Sequence, residues 1–161
     1  MLIDLLTPEE EEVDLRTRHL RFDIGLLADR LAGATDWLAR NPDTQELGVG
    51  YFGASTGAGA ALVAAAERPE VGAVVSRGGR PDLAGEVLSH VATPTLLIVG
   101  GEDEPVIGMN WEALAQLRSE KEIEIVPRAT HLFEEPGKLE EVARLAADWF
   151  TRHLIQRART G

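Results

Sequence analysis

The 161-residue sequence contains no cysteine. Disulfides, thiol nucleophiles and cysteine-ligated zinc are thereby excluded, and the composition fits a cytoplasmic protein. Lysine is nearly absent, Lys121 and Lys138 being its only occurrences, and 16 basic residues face 27 acidic ones for a formal net charge of −11. That balance opposes binding to nucleic acid or to an anionic membrane, and no local basic cluster offsets it. No apolar run approaches the roughly 20 residues that span a bilayer. Met1-Leu2-Ile3-Asp4 lacks the basic flank and apolar core of a signal peptide. With 44% hydrophobic and 27% charged residues, the chain reads as one soluble globular domain over residues 1–161.

What the sequence does have is a glycine-framed serine. An apolar run ends at Gly53, the pentapeptide Gly53-Ala54-Ser55-Thr56-Gly57 follows, and an alanine-rich helical pattern occupies Ala58 to Glu67. Strand, sharp turn and helix in that order place the serine at the tip of a strained turn, where flanking glycines let backbone pass close by. Gly53 and Gly57 are expected to supply that room. The helix start aims its free N–H groups at the serine, so the Thr56 N–H is the expected first donor to an oxyanion. A turn whose serine merely caps a helix is the alternative.

The rest of the chain alternates strands and helices. Met1 to Leu6 is long enough for one strand, and Thr7-Pro8-Glu9-Glu10 carries the cap, proline and acid of a helix start. Glu9 to Glu12 reads as a solvated acidic turn. Ile24, Leu27, Leu31 and Leu38 repeat at helical spacing until Asn41-Pro42. Gly48 to Gly53, Val71 to Val75, Thr95 to Val99 and Glu122 to Val126 read as strands, the last with the alternation of a sheet edge. Asp82 to Val91, Asn110 to Leu117 and a long stretch from Leu139 to Leu154 read as helices. The expected fold class is α/β: a three-layer, mostly parallel sheet of about five strands with helices on both faces.

In such sheets ligands bind beyond the carboxyl ends of the strands. Ser55, Asp103 and His131 each fall just past such an end, and the spacing suggests three successive strands. A serine hydroxyl becomes a good nucleophile when a neutral imidazole takes its proton and a carboxylate fixes the imidazole tautomer. His131 is the expected base, Asp103 the orienting acid with Glu102 and Glu104 as substitutes, and Ser55 the nucleophile. Arg77 and Arg80, near the end of the second central strand, are candidates for an anionic substrate group or for surface pairing with acids. His19, His90 and His153 sit in or beside helical patterns and read as solvent or packing residues. His131 with Glu134 and Glu135 matches no metal-ligand spacing, and no cofactor is expected.

The elbow, the acid in Gly100-Gly101-Glu102-Asp103 and the histidine in Ala129-Thr130-His131-Leu132-Phe133 together resemble the α/β-hydrolase superfamily. Within it the chain is most similar to the dienelactone-hydrolase-like group, including members fused to phosphoribosyltransferase domains. The resemblance implies a serine esterase-like activity on small acyl esters, because dienelactone hydrolases proper carry cysteine where this chain has Ser55. In that superfamily three further strands and a helix normally come before the point where this chain begins, and the loop after the third strand supplies a second oxyanion donor through an H-G-x-x type motif; the resemblance therefore implies a truncated form of the fold lacking those first strands. Met1 to Leu6 resembles the fourth strand of the family. Without the third, Met1 to Leu6 either pairs with Gly48 to Gly53 or leaves a bare edge, and a bare edge predicts a homo-oligomer. The rival to an enzyme is a non-catalytic interaction module of the same fold, for which Ser55→Ala would change nothing but stability.

Overall fold

The structure, a computed structural model, describes residues 1–157. Four strands, β1 (Val49–Ala54), β2 (Val71–Arg77), β3 (Thr95–Gly100) and β4 (Lys121–Val126), form one parallel sheet in the order of the chain. Five α-helices surround it: α1 (Pro8–Thr17), α2 (Ile24–Arg40), α3 (Thr56–Glu67), α4 (Glu104–Gln116) and α5 (Lys138–Arg157). Leu20–Phe22 and Pro81–His90 are 3₁₀ segments, the second bent at Gly85 with φ 54°.

Burial on both faces explains why β2 and β3 are apolar almost throughout. On one face Tyr51, Val71 and Val74 meet Leu27, the alanines of α3, Leu88 and Leu117. On the other, Val75, Leu96, Ile98 and Val126 meet Phe133, Val142, Ala146 and Trp149. α5, with Phe133 from the loop before it, covers that second face, which makes three layers. β4 is an edge strand, and its outward residues are wetter than its inward ones, as its alternating sequence predicts.

Met1 to Leu6 is not a strand, so the sheet has four strands rather than about five. The cause lies in what holds the segment. Thr7 and Glu10 form a reciprocal capping box at the start of α1. The Glu10 carboxylate also accepts two hydrogen bonds from the Arg30 guanidinium on α2. Arg30 Nη1 donates to the Leu5 carbonyl at 2.8 Å as well. This clasp ties the segment to α2 instead of to β1. A groove of about 1190 Å³ is left between them, and it runs on to Ser55 and His131. The outer edge of β1 is therefore unpaired among the described residues, and Phe52 on it is 50% exposed. α4 begins at Glu104 rather than Asn110, because Pro105 lies in the first turn, where no backbone donor is needed.

The clasp is pH-sensitive in a defined direction. Hydrogen bonding from Arg30 holds the Glu10 carboxyl at about 2, below its ordinary 4.5. A depressed folded value means that the contribution is complete above 4.5 and is lost as pH falls through about 2. Melting followed by circular dichroism across that window should show a steeper loss of Tm for the wild type than for Glu10→Gln; parallel slopes would contradict the clasp.

Candidate active site

Ser55 joins β1 to α3 with φ 50° and ψ −124°, a conformation that non-glycine residues rarely adopt. Such a residue costs on the order of 1–3 kcal/mol and persists only when its surroundings fix it. Here they do so from two sides. The Ser55 N–H faces the Arg77 carbonyl at 3.4 Å, and the Ser55 carbonyl accepts from Ala58 N–H at 3.1 Å and Arg80 N–H at 3.0 Å. Room for the turn comes from Gly53, where an added Cβ would lie 2.5 Å from the Gly57 carbonyl oxygen and 2.7 Å from Ala58 Cα. Gly57 does not share that duty, since a Cβ there would meet nothing within 4 Å; the crowding is all on the strand side of the turn. Thr56 is the first residue of α3, so its N–H has no acceptor within the helix and sits at the positive end of the helix dipole.

Asp103 precedes α4, and its side chain caps nothing. Its Oδ2 instead accepts from His131 Nδ1 at 2.7 Å. A carboxylate only accepts, so Nδ1 carries the proton and Nε2 is left as an acceptor. The carboxylate is 14% exposed and the imidazole 40%. Glu102 and Glu104, the other acids in that loop, do not pair with His131. The two loops are stitched by backbone bonds from Gly101 to Val126 and from Glu102 to Ala129, at 2.9 and 3.0 Å. Beyond His131, both Glu135 oxygens accept the Thr130 N–H, which lowers the Glu135 pKa. Phe133 turns the chain at φ 57° with its ring wholly buried.

The three residues do not come from successive strands. β2 lies between the strand of Ser55 and that of Asp103, so serine and acid start about 10 Å apart across the sheet, two strand spacings, and the His131 loop, which follows β4, starts one spacing further away. The turn after β2 fills the space beneath. Gly78, at φ 52°, passes so near the histidine loop that a Cβ would sit 3.0 Å from the His131 carbonyl oxygen. Arg77 Nη1 donates to the Leu132 carbonyl at 3.4 Å, and the guanidinium lies 5.8 Å from the Phe133 ring centroid. Sequence reasoning missed this turn as a part of the site; the doubled glycine at 78–79 was its only signal.

Ser55, Arg77, Arg80 and His131 line the same groove. Ser55 Oγ and His131 Nε2 are not hydrogen-bonded to each other in this structure; bonds of this kind often close only when substrate is present. The two arginines differ in kind. Arg80 donates to both oxygens of Asp82, at 2.8 and 2.7 Å, whereas Arg77 has no carboxylate partner among the described residues, and burial lowers its pKa. His19 and His90 bond Thr17 and Ser89 at the surface, and His153 packs its ring 4.3 Å from that of Trp149. Among the described residues no helix is long and apolar enough to cross a membrane.

The sequence pattern of the dienelactone hydrolase family matches residues 8–155. The chain belongs to that family. A solved dienelactone hydrolase from Anabaena variabilis is 74% identical, with a TM-score of 0.91 over 95% of this chain and 71% of that one. Two strains of Mycobacterium tuberculosis carry curated relatives named putative phosphoribosyl transferase, 63% identical over 155 residues. The match covers 96% of this chain and 34% of each relative, so the chain spans about a third of their length. An esterase domain from Rhodothermus marinus, 19% identical with a TM-score of 0.69 over 79% of this chain and 69% of that one, shares the fold. In dienelactone hydrolase family terms this member carries serine at the elbow.

Two outcomes follow from the elbow and the acid–imidazole contact. In urea denaturation Gly53→Ala should cost about 1–3 kcal/mol, while Gly57→Ala should be neutral or stabilising by about 0.5 kcal/mol; equal costs would contradict the one-sided crowding. Proton NMR should find a hydrogen-bonded imidazole N–H of His131 that is lost in Asp103→Ala.

Proposed function

We propose that this chain is a serine hydrolase that cleaves small acyl esters through an acyl-enzyme on Ser55. The observation that carries the reading is the strained Ser55 opening onto the groove that also holds His131, with the imidazole tautomer set by Asp103. His131 Nε2 takes the proton as Ser55 Oγ attacks the ester carbonyl, and returns it to the leaving alcohol; water then repeats the steps in reverse. The Thr56 N–H and the α3 dipole receive the developing oxyanion. A second donor would contribute about 2.7–4 kcal/mol, or 100- to 1,000-fold in rate, and no described residue is assigned to it.

Arg77 is the side chain suited to an anionic group on the substrate, because it lines the groove and has no carboxylate partner among the described residues. Arg80 is already engaged by Asp82. The chain between β2 and β3 supplies no lid: Ala84 and Leu88 of its 3₁₀ segment are buried against the core. An open site for small substrates is the result. The unpaired β1 edge suits association with a second copy, and light scattering at tens of micromolar should report a homo-oligomer; a clean monomer would contradict it.

A fluorophosphonate probe should label Ser55 stoichiometrically, as read by intact mass and peptide mapping, with Ser55→Ala unlabelled. His131→Ala should slow labelling by about 10²- to 10⁴-fold. A folded wild type that takes no label would overturn the hydrolase reading in favour of a non-catalytic module. Arg77→Met should lower kcat/KM for a carboxylate-bearing ester by about 10- to 100-fold more than for its neutral analogue.

A further inference from the structure

Asn110 sits within α4, about two turns after its start, and is wholly buried. Its Nδ2 donates to the Val106 carbonyl at 2.8 Å and to the Gly79 carbonyl at 3.1 Å; its Oδ1 has no partner. For helix formation and polar satisfaction the residue is a poor choice, because leucine, of the same branched outline though bulkier, is the better helix former and leaves no buried amide oxygen unpaired. What asparagine supplies and leucine does not is the bond to Gly79, outside its own helix. Gly79 has no slack: an added Cβ would lie 1.9 Å from Ser76 Oγ and 2.5 Å from Ala58 Cβ. The peptide it shares with Arg80 is thus packed among β2, α3 and α4. At the other end of that peptide, the Arg80 N–H holds the Ser55 carbonyl at 3.0 Å.

We propose that Asn110 is a positioning residue for Ser55: it clamps the Gly79 carbonyl, and through the same peptide the Arg80 N–H fixes the carbonyl of the strained serine. α4 begins directly after Asp103. One rigid helix therefore registers the acid at its N-terminus and the serine elbow from its second turn, across the intervening strand β2. The clamp stands on geometry alone, and its effect on reactivity rests on the hydrolase reading above.

The test pairs amide hydrogen exchange with fluorophosphonate labelling of the full chain carrying Asn110→Leu; Asn110→Ser serves if the leucine variant does not fold. Exchange at the Arg80 amide should accelerate by about tenfold or more, with β3 amides still protected. Ser55 labelling should slow by about tenfold or more while the β3 amides stay protected, a split that a merely structural residue would not give. Unchanged exchange at Arg80 overturns the clamp whether or not the wild type reacts. Faster exchange with unchanged labelling overturns the positioning role. An unlabelled wild type counts against the hydrolase reading, and the exchange result then decides the clamp by itself.

Discussion

Everything at the carboxyl end of this sheet depends on how closely the backbone of β1 can pass the first turn of α3. With a Cβ at Gly53 the two would collide at 2.5 Å; without it, the chain reverses within two residues and leaves Ser55 in a backbone conformation that local preference disfavours. The distortion is maintained by tertiary structure. The first turn of α3 and the turn after β2 both bond the Ser55 carbonyl, so the serine is held by two elements that are themselves packed against the buried alanines of α3. The same reversal points the start of α3 at the serine, which makes the strained turn and the positive electrostatic field one feature of the chain rather than two.

The acid–imidazole side is built differently. Asp103 and His131 stand on adjacent strands, and their loops share backbone bonds and a contact at Gly100 so close that a Cβ would lie 2.5 Å from the Ala129 carbonyl oxygen. The serine side and this side meet only over β2. Its turn, Gly78-Gly79-Arg80, bonds the elbow, receives Asn110 from α4 and grazes the carbonyl of His131. Geometry that spans the sheet from β1 to β4 thus rests on one three-residue turn, where small errors would be felt by all three proposed catalytic groups.

Local rules with short range were legible in the sequence. The Thr7–Glu10 capping box, the apolar strands Val71 to Val75 and Thr95 to Val99, the edge alternation before Val126 and the glycine-framed serine all appear where their residues predict, within a residue or two at the ends. Met1 to Leu6 was not legible, because a strand exists only if a partner edge accepts it, and here Arg30 draws Leu5 toward α2 instead. Gly57 was misread for a related reason: two glycines flank Ser55 symmetrically in the sequence, but only one faces another backbone. Asn110 gave no signal at all, since a polar residue in a helix normally faces water, and its partner lies 31 residues away.

The differing rigidity of the two sides has a chemical consequence. The proposed base is aligned by a short bond to a largely buried carboxylate, so its tautomer is set before Ser55 Oγ comes within hydrogen-bond reach. Among the described residues the oxyanion side offers one helix N-terminus beside a wide groove bounded by the unpaired edge of β1. Water entering that groove screens the very dipole that must receive the negative charge. Stabilisation of the oxyanion is therefore a step at which this arrangement, among the described residues, gives the proposed chemistry little help. Whatever covers the β1 edge would act on the rate through that step, by displacing water and by presenting its own backbone donors next to Ser55.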